Sequence, residues 1–318
     1  MFKTLLELFK KDNNEPHDID AMIGDLDKLL SHEQVIEPGQ NSREQGEFKG
    51  NPMQHISIMK RLNLIPILIK NMRELKKSYR GLDQTPDREK INQEELERIN
   101  QQAEELGVDS IGYTTVNKDD IFLNRGILYS QAIVFSIEMD QEDIQTAPSF
   151  QSLKTVQDTY AQTGVVANKI TNSLREMGFG AQSGPGLGGQ TIYPVLAKRA
   201  RLGAFGRHGI LITPENGPTH RLGVIYTNIK NLPTTGDNKH EWINDFCQQC
   251  GKCIESCPVD AIYEEPVTTT ADNIAFIDND TCVEYFARNY GCSICIKECP
   301  FNQVGYHKIK ENFLVTTK

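Results

Sequence analysis

No apolar run in this chain approaches the ~18 residues that a membrane-spanning helix needs. Positive charge is also in deficit. The 34 Lys and Arg face 43 Asp and Glu, which leaves a formal net charge of -9 and a pI near 5.4. That balance argues against a chain-wide nucleic-acid surface and leaves only a local basic patch open. The segment from Met1 to Lys10 is too short and too interrupted by charge for a signal peptide, and no twin-arginine pair occurs. Cysteine is absent until residue 247. What remains is 318 residues with 38% hydrophobic content, the size of about two domains with ample material for a core.

All 8 cysteines fall between Cys247 and Cys299. Cys247, Cys250, Cys253 and Cys257, followed by Pro258, give C-x2-C-x2-C-x3-C-P, the spacing by which bacterial ferredoxins hold [4Fe-4S] clusters. Cys292, Cys295 and Cys299, followed by Pro300, repeat its last three positions, with Cys282 set well back. A cubane needs thiolates from several directions, so a tight turn supplies three and a distant residue closes the site. In two-cluster proteins the fourth cysteine of each run serves the other cluster. The expected sets are therefore Cys247, Cys250, Cys253 and Cys299 for one cluster, and Cys257, Cys282, Cys292 and Cys295 for the other. Disulfides would suit a small secreted domain, and zinc ribbons lack the three-cysteine run ending in Cys-Pro. Thiols held by iron, without an export signal, point to the cytoplasm of a reduced, oxygen-poor cell.

Along the chain, residues 1 to about 58 are polar, with brief amphipathic helices expected at Leu5–Phe9 and Met22–Leu30, then irregular chain at Gly39, Gly46 and Gly50. Residues 56–80 mix Ile and Leu with basic residues. They read as a packed surface helix in preference to a membrane- or partner-binding one, and Pro66 is expected to start, kink or divide it. From residue 93 the pattern sharpens. A helix over 94–106 precedes a strand over 107–113, and a buried strand follows over 131–139. A long helix over 150–177, a short strand at 179–182, a helix near 194–200 and strands at 209–213 and 221–227 complete an α+β layer domain. Asp237 to His240 reads as the linker. The division is thus 1–92, a polar and helical region; 93–236, an α+β domain; and 237–318, a two-cluster ferredoxin-like domain.

Outside the cysteines, Gly184, Gly186 and Gly189 formally fit G-x-G-x-x-G. Pro185 sits inside the match and no βαβ unit surrounds it, so an ordinary glycine loop is the better reading. Lys198, Arg199, Arg201, Arg207 and His208 make a basic cluster that reads equally as a solvated helix end or as a site for phosphate or carboxylate groups. Tyr160, within the long helix, is a candidate proton donor if a cation stands near its phenol, and Arg221 is the candidate cation.

Taken together, Tyr160 with Val165–Ile170, Leu174–Ala181, Leu202–Pro218, Arg221 and Tyr226–Thr227 resemble the corrinoid-binding core of reductive dehalogenases, and the cysteine runs resemble their two-cluster domain. Epoxyqueuosine reductases are more distantly similar. The resemblance spans roughly residues 93–302. It implies an antiparallel-sheet, nitroreductase-like core that holds a base-off cobalamin by main chain, with Leu202, Gly203, Gly206, Arg207, His208 and Thr213 as corrinoid contacts. It also implies Tyr160 as proton donor and Arg221 as its helper. The chain departs from the family in three ways. Arg201 replaces a glycine near the expected corrin, the twin-arginine signal is absent, and only a short tail follows Cys299.

The expected activity is cobalamin-dependent reductive cleavage of a carbon–halogen or carbon–oxygen bond in a small molecule, with electrons from a ferredoxin or flavodoxin through two [4Fe-4S] clusters. Two alternatives stand beside it. One is an electron-transfer or corrinoid-reducing protein that acts on a partner; the other is an epoxyqueuosine reductase-like enzyme acting on tRNA, against which the acidic balance counts.

Overall fold

A 27-residue helix is the spine of the molecule, because its sequence starts and stops it cleanly. In the computed structural model, which describes residues 30–31, 51–122, 125–268 and 274–316, this helix runs Phe150–Glu176. Ser149 caps its first turn by accepting from the Ser152 N–H, and Gly178 with φ +87° ends it in the left-handed region. Leaving aside the five-residue helix Gln141–Gln145, the core helices in chain order are α1 (Ile58–Ser78), α2 (Gln93–Glu105), α3 (Phe150–Glu176) and α4 (Tyr193–Arg199). The strands are β1 (Ser110–Thr115), β2 (Gln131–Glu138), β3 (Ala181–Ser183), β4 (Ala204–Phe205), β5 (Leu211–Ile212) and β6 (His220–Thr227).

Strands β1, β2, β6 and β3 form a four-stranded sheet in the order β1-β2-β6-β3, antiparallel throughout, with Ile133 opposite Ile225 in the central pair. Period-two alternation decides what each face covers. Ile133, Phe135, Ile137 and Ile225 pack against Val166, Ala167, Ile170 and Leu174 of α3 and Ile99 and Ala103 of α2. Ala132, Val134, Val224 and Tyr226 pack instead against Leu196 and Ala197 of α4 with Leu202 and Leu211. The core is therefore two apolar layers with the sheet between them. It has helices α2 and α3 on one side, and α4 with the β4–β5 hairpin on the other.

Helix α1 lies outside α3 rather than in a separate unit. Leu64, Ile67 and Leu68 meet Phe150 and Leu153, Asn71 donates to the Gln157 carbonyl at 3.0 Å, and Asn168 donates to both the carbonyl and the carboxylate of Glu74. Gly164 lets the two helices approach this closely, since a Cβ there would stand 3.0 Å from that of Glu74. Pro66 sits inside α1 without starting or dividing it, which leaves the kink among the three alternatives read from sequence. One lost backbone bond is outweighed by the packed face on α3.

Leu30–Ser31 pair antiparallel with Gly126–Ile127, so the end of the helix expected at Met22–Leu30 is extended chain instead. The rest of that helix, the one at Leu5–Phe9 and the irregular stretch at Gly39–Gly50 lie outside the described residues.

The cysteine lobe follows with α5 (Trp242–Cys250), α6 (Lys252–Glu255), the antiparallel hairpin β7 (Ile262–Thr268) and β8 (Ile274–Ile277), then α7 (Asn279–Arg288), α8 (Ile294–Lys297), α9 (Pro300–Gln303) and α10 (Tyr306–Thr316). Its aromatic centre is Trp242, Phe246, Phe301 and Tyr306, and Trp242 Nε1 donates to the Tyr306 hydroxyl at 3.0 Å. Ala204 and Ile212 of the β4–β5 hairpin are buried in that cluster. Thr219 also donates to Asn302 Oδ1 at 2.8 Å, so the lobe is fastened to the core through the chain on either side of β5.

Candidate redox site

Four of the eight thiols surround one cavity. Cys247, Cys250, Cys253 and Cys299 line it together with Phe246, Gly251, Pro300 and Phe301 of the same lobe, and with Arg207 and His208 from the core. Short helices bring them there: α5 ends at Cys250, left-handed Gly251 (φ +63°) turns the chain, and α6 carries Cys253. Cys299 arrives as the cap of α9, from the far end of the second run.

The mutual electrostatics of the free thiols sort them into two groups. Burial pushes Cys247, Cys253 and Cys282 each up to about 11, and neighbouring thiols act in the same direction: Cys250 on Cys247, Cys247 and Cys250 on Cys253, and Cys292 and Cys257 on Cys282. Burial raises Cys295 and Cys299 further. The strongest thiol neighbours of Cys295 are Cys292 and Cys282, whereas those of Cys299 are Cys247, Cys253 and Cys250. Cys295 also feels Cys253, which places the two groups side by side. Acidic iron would have to displace these protons, as metal ligation does.

Around the second group the backbone is strained in a consistent way. Tyr290, Gly291, Cys292 and Ser293 all take φ between +41° and +79°. Non-glycine residues hold such angles at an energetic cost, and runs of this kind turn successive N–H groups toward one point. Burial raises the Cys292 thiol while the nearby N–H groups of Ile294 and Ser293 act to lower it, and Ala261 N–H donates to Cys257 Sγ at 3.3 Å. Backbone donors aimed at sulfur are the protein's means of holding anionic thiolates.

Tyr160 and Arg221, far apart in sequence, meet. Tyr160 projects from α3 and Arg221 opens β6 on the sheet face that carries α3, with the guanidinium carbon 4.9 Å from the centre of the phenol ring. The cation lies over the ring face rather than end-on to the hydroxyl, and its buried Nε has no protein partner. The loop after β3 leans on the same turn of helix. A Cβ at Gly186 would stand 2.2 Å from the Tyr160 carbonyl, so only glycine fits. Ser183, the last residue of β3, has a buried hydroxyl without a partner, while Gly188 has open space where a side chain would be. The loop is therefore a packed glycine turn beside Tyr160 and not a phosphate-binding one. No βαβ unit surrounds it.

The basic cluster expected around residue 200 is dispersed. Arg199 pairs with Asp120 at 2.6 Å, Lys198 lies 3.5 Å from Glu241, and Arg201 donates to the carbonyls of Pro233 and Thr234. Of the two readings of this cluster, these three fit the solvated helix end better than a site for phosphate or carboxylate groups, because each cation already has an acceptor. Arg201 takes φ +66°, a conformation natural to glycine, and its charge is drawn off toward the linker. Of the other residues singled out from sequence, Leu202 is buried in the core and Thr213 accepts from the Asn216 N–H inside its own turn. Gly203 is pressed on the Ile212 carbonyl, where a Cβ would stand 2.0 Å away. Arg207 and His208 turn toward the cysteines instead, and Gly206 packs beneath the His208 ring.

Buried His220 stays neutral. Burial lowers His220 to about 4, helped by the nearby Arg221 charge, and its Nδ1–H donates to the Gly217 carbonyl at 3.0 Å. Unfolded histidine titrates near 6.5. The unfolded chain therefore takes up a proton that the folded one refuses as pH falls from about 6.5 to about 4. The stability His220 confers is complete above that window, is lost across it by on the order of 3 kcal/mol, and changes no further below it. His220→Asn, whose amide can occupy the Nδ1 position, is expected to flatten the acid limb of a urea-midpoint against pH curve. An unchanged limb would show that His220 does not set it.

The lobe of paired thiol groups on an antiparallel α+β core defines an iron–sulfur redox protein, and residues 246–302 match the family described as 4Fe-4S double cluster binding domain. The wider chain is similar to the tetrachloroethene reductive dehalogenase of Desulfitobacterium hafniense, 34% identical over 194 residues that cover 56% of this chain and 34% of that protein. It is similar over a shorter stretch to the epoxyqueuosine reductase of Listeria monocytogenes, 32% identical over 118 residues that cover 34% of this chain and 29% of that protein. The match thus spans about a third of the length of the curated relatives. In fold the chain is similar to an N-terminally tagged catabolic reductive dehalogenase, with a TM-score of 0.65 at 21% identity over 74% of this chain and 36% of that one.

Proposed function

We propose that this chain is a corrinoid- and iron–sulfur-dependent reductase of the reductive dehalogenase type, acting on a small organic substrate in the cytoplasm with electrons from a ferredoxin or flavodoxin. The observation that carries this reading is the stacked Tyr160–Arg221 pair beside a glycine loop. It occurs in a chain that resembles the dehalogenases over the same stretch and is joined to a lobe with two groups of four thiols. The sheet, antiparallel throughout with helices on both faces, is compatible with a nitroreductase-like core.

The residues present fit a corrinoid. Buried Ser183 Oγ and Arg221 Nε lack protein partners and suit a group whose rim carries amide acceptors, and the Arg201 charge is turned aside to the linker. When bound, the corrinoid and two [4Fe-4S] clusters would supply the electrons for cleaving a carbon–halogen or carbon–oxygen bond. For a halide, R–X with two electrons and one proton gives R–H and X⁻. The chain's own contribution is the proton, held on the Tyr160 phenol oxygen and given to the substrate carbon. The Arg221 cation 4.9 Å from the ring stabilises the phenolate left behind. Both cationic helix-end residues of the former basic cluster, Lys198 and Arg199, are committed to carboxylates, which weighs against a tRNA substrate.

Anaerobic reconstitution with iron, sulfide and cobalamin tests this reading. Corrinoid absorption is expected to co-elute with the protein in near-equimolar amount. Its complete loss on gel filtration would remove the corrinoid from the proposal.

A further inference from the structure

Among the residues lining the cysteine cavity, two do not belong to the cysteine lobe. Arg207 and His208 sit at the tip of the β4–β5 hairpin, where Gly206 N–H donates to the Ile210 carbonyl and Gly209 N–H donates to the Gly206 carbonyl, both at 2.9 Å. Gly209, at φ +75°, allows so tight a turn, and its place against Phe276 seats the tip in the lobe. Both side chains are buried, Arg207 at 9% exposure and His208 at 4%.

The hydrogen bonding of His208 fixes its tautomer. Ile210 N–H donates to His208 Nδ1 at 3.1 Å, so Nδ1 carries the lone pair and the neutral ring has its proton on Nε2. That Nε2–H is buried and has no partner in the protein. A buried donor left unpaired costs roughly 1–3 kcal/mol, so its retention asks for an acceptor. The cavity it lines is walled by Cys247, Cys250, Cys253 and Cys299. Arg207 repeats the pattern: it lines the same cavity and its buried Nε is likewise unpartnered.

We propose that the hairpin tip is a tuning element for the cluster of Cys247, Cys250, Cys253 and Cys299, in which His208 Nε2–H and the Arg207 cation donate to its sulfurs and raise its reduction potential. The physical reason is charge. Reduction adds one electron to the cluster, and hydrogen-bond donors and a nearby cation stabilise the more negative state. The same cationic tip comes from the core domain that holds Tyr160, so the potential of this cluster depends on correct docking of the lobe. His208 and Arg207 thus act on electron supply by direct contact with the cluster. This inference rests on the iron–sulfur part of the proposed function and does not need the corrinoid.

The test is a potentiometric EPR titration of the full chain, reconstituted with iron and sulfide only. In His208→Phe, which keeps a planar ring and removes the donor, one of the two cluster signals is expected to become harder to reduce. Its reduced-to-oxidised ratio at a fixed potential should fall about tenfold, a shift of about 59 mV for one electron. The other signal should stay in place. Arg207→Met is expected to move the same signal in the same direction, and His208→Gln, which restores an N–H, to recover part of the shift. Both signals unmoved, or both moved equally, would overturn the proposal.

If His208→Phe loads no cluster, wild-type protein labelled with 15N-histidine decides the matter by pulsed EPR. A nitrogen coupling to one reduced cluster supports the N–H donor, and its absence overturns it. Wild-type protein that assembles no cluster at all would instead sink the iron–sulfur reading on which both rest, a result distinct from a cluster whose potential ignores His208.

Discussion

Tyr160→Phe is expected to lower turnover by about 10²- to 10⁴-fold while leaving iron, sulfide and corrinoid content unchanged. That range is what a positioned general acid contributes. The substitution is clean because the hydroxyl and the ring do different things here. The ring carries the contact with Arg221, a cation–π interaction of about 0.5–2 kcal/mol that phenylalanine preserves, and the backbone turn that packs on Gly186 is untouched. Folding and cofactor retention should therefore survive, and only the proton is lost. Retained turnover in this variant would exclude Tyr160 as the donor. A solvent isotope effect present in the wild type and altered in the variant would place the proton transfer in the slow step.

Sequence spacing reached the site unevenly, and the reasons are physical. Eight cysteines in two ferredoxin runs need no tertiary context to be read, because the ligand requirement of a cubane is local for three positions and regular for the fourth. The 150–176 helix was equally legible, since an N-cap serine and a terminal glycine mark its ends. The Tyr160–Arg221 pair came from resemblance together with the residue types, and its stacked rather than end-on geometry lay beyond the sequence.

The basic cluster stayed open between two readings because charge density along a chain says nothing about where acceptors stand. Asp120 for Arg199 and the Pro233 and Thr234 carbonyls for Arg201 come from distant segments. Pro66 left its outcome open because the cost of an internal proline is known for an isolated helix, and α1 is held along its length by α3. The turn carrying Arg207 and His208 did leave a signal in its flanking glycines, Gly206 and Gly209. Only the fold reveals that the turn faces cysteines some forty residues and more downstream rather than the face that carries Tyr160.

Cys257→Ser and Cys299→Ser are expected to exchange their losses relative to their own sequence runs. Cys257 closes the first run, yet its thiol neighbours are Cys282, Cys292 and Cys295, whereas Cys299 closes the second run and lines the cavity with Cys247, Cys250 and Cys253. Cys257→Ser should therefore halve the iron content by abolishing the cluster of the second run. The cluster whose potential responds to His208→Phe should remain. Cys299→Ser should do the reverse, removing the His208-sensitive signal and sparing the other. Each effect is large because a buried thiolate site that loses one of four ligands leaves iron open to solvent and the remaining charges uncompensated. The Ser pair is preferred to Ala, since a hydroxyl keeps the volume and polarity of the thiol. Iron and sulfide analysis with EPR of the two variants distinguishes the outcomes. If each variant instead lost the cluster of its own run, the crossed arrangement of the thiols would have to be abandoned. The hairpin tip would then lie against a cluster with a different fourth ligand.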